Sequence, residues 1–328
     1  MADDTVTDTP GPRLAFEMYK KELAAVPEPI GKILSEYSHI PPEAQNEHIV
    51  AVRDKAYASH PYPCLGRWRF LQLDLSSHPL YNDYVVPALA KDSPNQWLYL
   101  DLGCCLAQDI RKLLYDGADL SRVYGAELRP EFISAGYQLF QDEATFPQKE
   151  HFVAPADVFD FSPESELSKR FDGKIGILHS TAVFHLFTWD DQVSMAKRCL
   201  QLMTQHDGRV LICGAQIGNV KPGEYPAMRG QGTRYRHNEE SLKKMWHKVV
   251  QQKPWNVKVK AIEIGTSMTG PAEQDMSRIK EELEAGQKLE ADLAKLGEGK
   301  EAEARKKHLG HFEQGLRWLQ WWVWVDFV

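Results

Sequence analysis

Three acidic residues stand where short apolar runs of this sequence end: Asp101 in Leu98-Tyr-Leu-Asp-Leu-Gly103, Glu127 in Val123-Tyr-Gly-Ala-Glu127, and Asp157 in Ala156-Asp-Val-Phe-Asp160. A carboxylate at the end of a strand accepts hydrogen bonds from both hydroxyls of an adenosine ribose, which is the chemistry expected of Glu127. Asp157 is suited to an adenine amino group, with Val158 and Phe159 as an apolar wall. Gly103 turns the chain sharply after Asp101, where a ligand meets the carboxyl edge of a sheet. Cys105 and Ala107 occupy the places where a diphosphate-binding glycine set would continue, so a smaller ligand without phosphate is expected. Each acid alone reads as a strand-end or capping residue. Three in this order favour a nucleoside site.

A fourth run ends in Ile177-Leu-His-Ser-Thr-Ala-Val-Phe-His-Leu-Phe187, which offers His179 and His185 as bases or orienting groups and Ser180 as a cofactor contact. Arg67 and Arg69 lie in the proline-restricted aromatic stretch His60–Leu71, either as a packing connector or as a lid that offers a cation to a carboxylate. Arg229, Arg234 and Arg236 with His237 form a basic, glycine-rich stretch in an acidic chain. It reads as a solvated loop or as an anchor for an acidic substrate through charge-assisted contacts.

These groups need a scaffold of short apolar runs alternating with helices, the pattern of parallel strands joined by crossovers. Seven strands are predicted, at 97–102, 123–127, 151–154, 174–179, 209–214, 257–264 and 316–327. Helices are predicted near 107–116, 131–142, 189–205 and 238–252. Residues 1–12 lack apolar groups to repay ordering and are expected to be a disordered tail. From residue 13 to 96, Leu14, Met18, Leu23 and Val26, then Ile30, Ile33, Leu34 and Tyr37, recur near helical spacing, and Pro41-Pro-Glu43 opens a further helix, giving a helical N-terminal lid or substrate region. Residues 97–328 form the main domain. Within it, 272–313 is a charged stretch expected to be a helical hairpin inserted before the last strand and bent at Gly297-Glu-Gly-Lys300.

The 328 residues are 43% hydrophobic and 26% charged, an ordinary globular balance, and the net charge of -7 disfavours nucleic acid or an anionic membrane as partner. Five cysteines without C-x-x-C spacing give no zinc or redox motif, and no metal site is expected. The acidic start and the absence of a long apolar run point to a cytoplasmic protein with a small-molecule substrate. The charged insertion and the aromatic C-terminal strand are where a homodimer would form.

Together, Asp101-Leu-Gly-Cys-Cys-Leu-Ala-Gln-Asp-Ile-Arg-Lys112, Val123-Tyr-Gly-Ala-Glu-Leu-Arg-Pro-Glu-Phe132, Tyr62-Pro-Cys-Leu-Gly-Arg-Trp-Arg-Phe70 and Arg236-His-Asn-Glu-Glu-Ser-Leu-Lys-Lys-Met-Trp246 resemble the class I S-adenosylmethionine-dependent methyltransferases, and within them the fungal enzymes of polyketide and meroterpenoid biosynthesis. The resemblance spans about residues 55–270 and the last strand. It departs from the usual pattern at Ala107, at Glu127 and in the length of the 272–313 stretch. It implies an α/β, Rossmann-like, mostly parallel seven-stranded sheet with helices on both faces and an antiparallel last strand. The cofactor it implies is S-adenosyl-L-methionine, bound by Asp101, Gly103, Cys104, Glu127, Leu128, Asp157, Val158, Phe159 and Ser180. The activity it implies is O-methylation of a secondary metabolite, first of all methyl esterification of a carboxylate. Two alternatives are methylation of a phenol or alcohol with a histidine base, and a regulatory methyltransferase-like protein acting through protein partners. A dinucleotide dehydrogenase is weakened by Cys105 and Ala107.

Overall fold

The computed structural model describes residues 19–206, 208–226, 232–252, 258–269 and 315–328. The tail at 1–12 and the stretch 272–313 lie outside the described residues, as does Arg229. Strands β1 (Leu98–Leu102), β2 (Val123–Ala126), β3 (Phe152–Val153), β4 (Ile175–Thr181), β5 (Arg209–Asn219), β8 (Val259–Thr269) and β9 (Leu316–Phe327) make one seven-stranded sheet, in the order β3-β2-β1-β4-β5-β9-β8. β1, β2, β3, β4 and β5 run parallel, and β9 is antiparallel to both β5 and β8. Central strands are buried on both faces, which is why β1 and β4 read as near-continuous apolar runs.

The seven expected strands are present, as are the four helices expected between them, with ends shifted by a few residues. The main differences are that β4, β5 and β8 run further, to Thr181, Asn219 and Thr269, and that β3 is only two residues long. A second, two-stranded sheet of β6 (Gly223–Pro226) and β7 (Thr233–Arg236) forms where the sequence reads as polar loop. The main helices are α1 (Glu28–Glu36), α2 (Pro42–Ser59), α3 (Gln108–Tyr115), α4 (Pro130–Phe140), α5 (Trp189–Leu202) and α6 (Glu239–Gln251). Proline begins the first turn of α2 and α4, where its missing N–H costs nothing. Thr188 caps α5, and Asn238 with Ser241 forms a reciprocal cap on α6.

One apolar layer covers a face of the sheet with α5 and α6, and a second covers the other face with α3 and residues 75–89. A third joins α1, α2 and the Leu65–Leu73 stretch to α4. Residues 19–27, expected to be helical from Leu23 and Val26, are not: the Arg53 guanidinium takes the carbonyls of Lys20 (2.8 Å) and Lys21 (3.1 Å), and the Trp68 indole takes that of Glu22 (3.0 Å). Backbone acceptors engaged by buried side chains do not join a helical ladder. The aromatic β9 lies inside the sheet. Trp321 enters the α5 and α6 layer, and Trp322 and Trp324 meet His78 and Tyr84 on the other face. Among the described residues no helix is long and apolar enough to cross a membrane.

Candidate active site

The turn after β1 is the tightest part of the site. Gly103 has φ +82°, and its N–H and that of Cys104 both donate to the Ala126 carbonyl, at 2.8 and 3.2 Å. A Cβ on Gly103 would lie 2.5 Å from Val183 Cγ2, so the turn that follows β1 touches the turn that follows β4. Cys105 (φ +53°) and Ala107 (φ +56°) are also left-handed, although neither is glycine. The backbone thus takes a glycine-type path with side chains present, at a cost of about 1 kcal/mol or more per residue.

Glu127 holds that path in place. Its Oε2 accepts the Cys105 N–H at 2.8 Å and its Oε1 the Arg129 N–H at 3.0 Å. Burial pushes its carboxyl upward, against the lowering pull of these backbone donors. The Leu128 N–H is a third backbone donor to this carboxyl, and of its four acceptor sites one remains for a ligand hydroxyl. The neighbouring Leu128 is an apolar side chain 44% exposed, in line with β2. Asp157 is exposed and turns the chain by accepting the Phe159 N–H at 2.9 Å, while Phe159 meets the Phe187 ring edge-to-face at 4.9 Å and Val158 packs on the core. The left-handed turn, the ribose-competent carboxylate and the apolar edge suit an adenosyl ligand. Ser180 is fully buried, and its hydroxyl donates to the Leu102 carbonyl, tying β4 to β1.

His179 faces Asp101 across the β1–β4 pair, with Nδ1 3.0 Å from Asp101 Oδ1, and its Nε2 lies 2.7 Å from Thr181 Oγ1. Burial pulls its pKa down, Asp101, Asp109 and Asp74 pull it up, and the net direction is up. Asp109 on α3 is buried, accepts the Leu75 N–H at 3.0 Å, and is pushed up to about 7 by desolvation. Ligand-type atoms of Asp101, Asp109 and His179 lie within 4.8 Å of one another, but both ring nitrogens are already engaged.

Beyond β4 and β5 a second group gathers. His185 is buried, its Nδ1 accepts the Ile217 N–H at 3.3 Å, and burial followed by the Arg236 and Arg69 cations holds its pKa far below the imidazole range. Arg236 at the end of β7 is buried and donates to the His185 carbonyl; among the described residues no carboxylate lies in ion-pair contact with it, and the charge of Glu224 acts on it from further away. Burial lowers its pKa to about 10, so it stays cationic at neutral pH. Arg69 grips Asp74 with two contacts, 2.9 and 3.0 Å, and lies 3.9 Å over the Trp318 ring at the start of β9. Arg67 is half-buried in the same N-terminal stretch. His237 is fully buried between Trp189 and Tyr235, with Nδ1 on the Ser241 hydroxyl and its pKa lowered to about 3 by burial, so it sits in the α6 cap.

Sequence reasoning missed Thr181, Trp318 and the Gly103–Val183 contact. Thr181 lies two residues from His179, a same-face spacing on a strand, and that was the available signal. Trp318 and Val183 meet their partners only through the fold.

A family model described as "Meroterpenoid methyltransferase N-terminal domain" matches residues 18–71. The protein named O-methyltransferase phiE, from a fungal species, is 39% identical over 257 residues, which cover 77% of this chain and 82% of that protein. Methyltransferase trt5 of Aspergillus terreus is 34% identical over 235 residues, 72% of this chain and 81% of its own length. The Asnovolin E/Chermesin D methyltransferase nvfJ of Aspergillus novofumigatus is 36% identical over 200 residues, 61% and 68% respectively.

Proposed function

This chain belongs to the family of fungal methyltransferases represented by phiE and trt5, and we propose that it transfers a methyl group from S-adenosylmethionine to the carboxylate of a polyketide-derived or meroterpenoid intermediate, giving a methyl ester. When bound, that cofactor supplies an electrophilic methyl group on a sulfonium centre.

Glu127 takes the ribose through the acceptor site its backbone bonds leave open, and Asp157 takes the adenine amino group. Leu128, Val158 and Phe159 flank the base, and Asp101, Gly103 and Cys104 shape the methionine end. Ser180 holds β1 and β4 together beneath it. Arg236, with Arg69 and Arg67 from the N-terminal stretch, holds the acid. His237 anchors the β7–α6 corner that carries Arg236.

The observation that carries the choice of a carboxylate is the pairing at Arg236 and His185. Arg236 is a buried cation bonded to a carbonyl, and a buried guanidinium is strongly favoured by an anion. Burial, and after it the same cation, keep His185 neutral and a weak base, while both nitrogens of His179 are engaged. A carboxylate is ionised at neutral pH and needs no base, whereas a phenol or an alcohol must lose a proton. Rate then comes from alignment and from removing water around the acceptor oxygen.

The test is a labelling assay on a fungal extract divided in two, one half with its carboxyl groups converted to methylamides. Label from methyl-labelled S-adenosylmethionine should enter the untreated half and be lost from the masked half. Equal labelling of both halves contradicts a carboxylate acceptor.

A further inference from the structure

β4 ends at Thr181, on the strand beside β1 where the chain order of the sheet reverses. In open α/β sheets ligands lie outside the carboxyl ends of the strands at that reversal. The Gly103–Val183 contact joins the two turns there, and the left-handed Ala182 (φ +59°) leads the chain away, which leaves half-buried Thr181 as the last side chain of the strand. Thr181 pairs with Ala215 on β5, two residues from the Ile217 N–H that His185 accepts, and so stands between the β1 turn of the proposed cofactor half and the Arg236–His185 pair of the proposed acceptor half.

The direction of its hydrogen bond depends on His179. An ionised Asp101 only accepts, so Nδ1 of His179 carries a hydrogen toward it. With a neutral ring, Nε2 accepts the Thr181 hydroxyl hydrogen. With a charged ring, Nε2–H donates to Thr181 Oγ1, and the hydroxyl hydrogen must point elsewhere. The groups that face the ring are Asp101 from β1, Asp109 from α3 and Asp74 from the connector ahead of α3, together with His78, which burial keeps neutral, and the stacked Tyr99 ring. Asp101 and Asp74, joined by Asp109 as it ionises near pH 7, surround one imidazole, an arrangement that favours the charged ring.

We propose that Thr181 donates a hydrogen bond to the acceptor's carboxylate oxygen, and that His179 is a positioning residue that keeps the hydroxyl a donor. The proposal rests on the carboxylate reading above. It gives the buried Asp101–His179 pair a part in the reaction without contact with the reacting atoms.

The experiment compares wild type with Thr181→Val and Thr181→Ser, using methyl-labelled S-adenosylmethionine and limiting amounts of the acid fraction of a fungal extract, across pH 6 to 9. S-adenosylhomocysteine affinity is measured alongside by calorimetry. The wild-type rate should fall as pH rises through the raised pKa of His179. Thr181→Val should be slower by about ten- to a hundredfold and lose that fall, with unchanged S-adenosylhomocysteine affinity. Thr181→Ser should keep both rate and profile. Thr181→Ala replaces the valine variant if that does not fold. A valine or alanine variant with full rate, with the wild-type pH profile, or with S-adenosylhomocysteine affinity lost in step with rate, overturns the proposal. Label that enters only alkali-stable products in the wild type overturns the carboxylate reading itself, and is recognised without any variant.

Discussion

Glu127 Oε2 accepts the N–H of Cys105 at 2.8 Å, so the end of β2 holds a left-handed, non-glycine residue of the β1 turn in place. One carboxylate therefore shapes the turn and, in the proposed function, binds the ribose. Glu127→Ala should weaken S-adenosylmethionine binding by about ten- to a hundredfold, since each charge-assisted bond is worth roughly 1.5–3 kcal/mol. Calorimetry with the variant checks this, and an unaltered affinity contradicts the assignment.

Gly103 combines φ +82° with a 2.5 Å approach of any added Cβ to Val183. Gly103→Ala should cost about 1–3 kcal/mol in a urea titration. Adding Val183→Ala should recover the steric part and leave the conformational part. A double variant no more stable than Gly103→Ala would show that the contact between the two turns is not the source of the cost.

The N-terminal region is tied to the sheet domain through a buried ion pair. Arg111 on α3 meets Asp142 after α4 at 2.9 and 3.0 Å, and the Tyr37 hydroxyl just past α1 donates to the same carboxylate at 2.8 Å. Arg111→Met should destabilise by about 3–5 kcal/mol, because it leaves a buried carboxylate without its cation. Arg111→Met with Asp142→Leu should return much of that loss, and thermal or denaturant unfolding of both variants measures it.

Asp109 carries a pH signature. Its carboxyl is raised to about 7 by burial, above its value in the unfolded chain. The folded state thus binds an extra proton between about pH 4 and 7, and stability falls as pH rises through that window. Asp109→Asn retains an oxygen for the Leu75 N–H, so it should be more stable than wild type at pH 8 by roughly 2–4 kcal/mol, with the gap closing toward pH 4. Urea unfolding at both pH values checks the sign. A gap that widens on acidification is the opposite result.

The sheet was legible because strands buried on both faces are written as apolar runs, and because Asp101, Glu127 and Asp157 close successive runs. Local sequence says less about groups whose partners are distant. The segment around Leu23 has near-helical spacing, yet its carbonyls belong to Arg53 and Trp68. Cys105 and Ala107 read as missing glycines, but the turn keeps the glycine path because Glu127 supports it. Ser180 and His237 look like site residues from their neighbours, whereas their hydrogen bonds tie them to Leu102 and Ser241. The pairing of His179 with Asp101 follows from the β1–β4 register, which spacing along the chain does not encode.

In the proposed reaction the acceptor oxygen belongs to a carboxylate. This is tested most directly by isolating the product labelled from methyl-labelled S-adenosylmethionine and treating it with mild alkali. The label is expected to leave as methanol while the acid is regenerated, as from a methyl ester. Label that survives the treatment, as in an aryl or alkyl methyl ether, contradicts it.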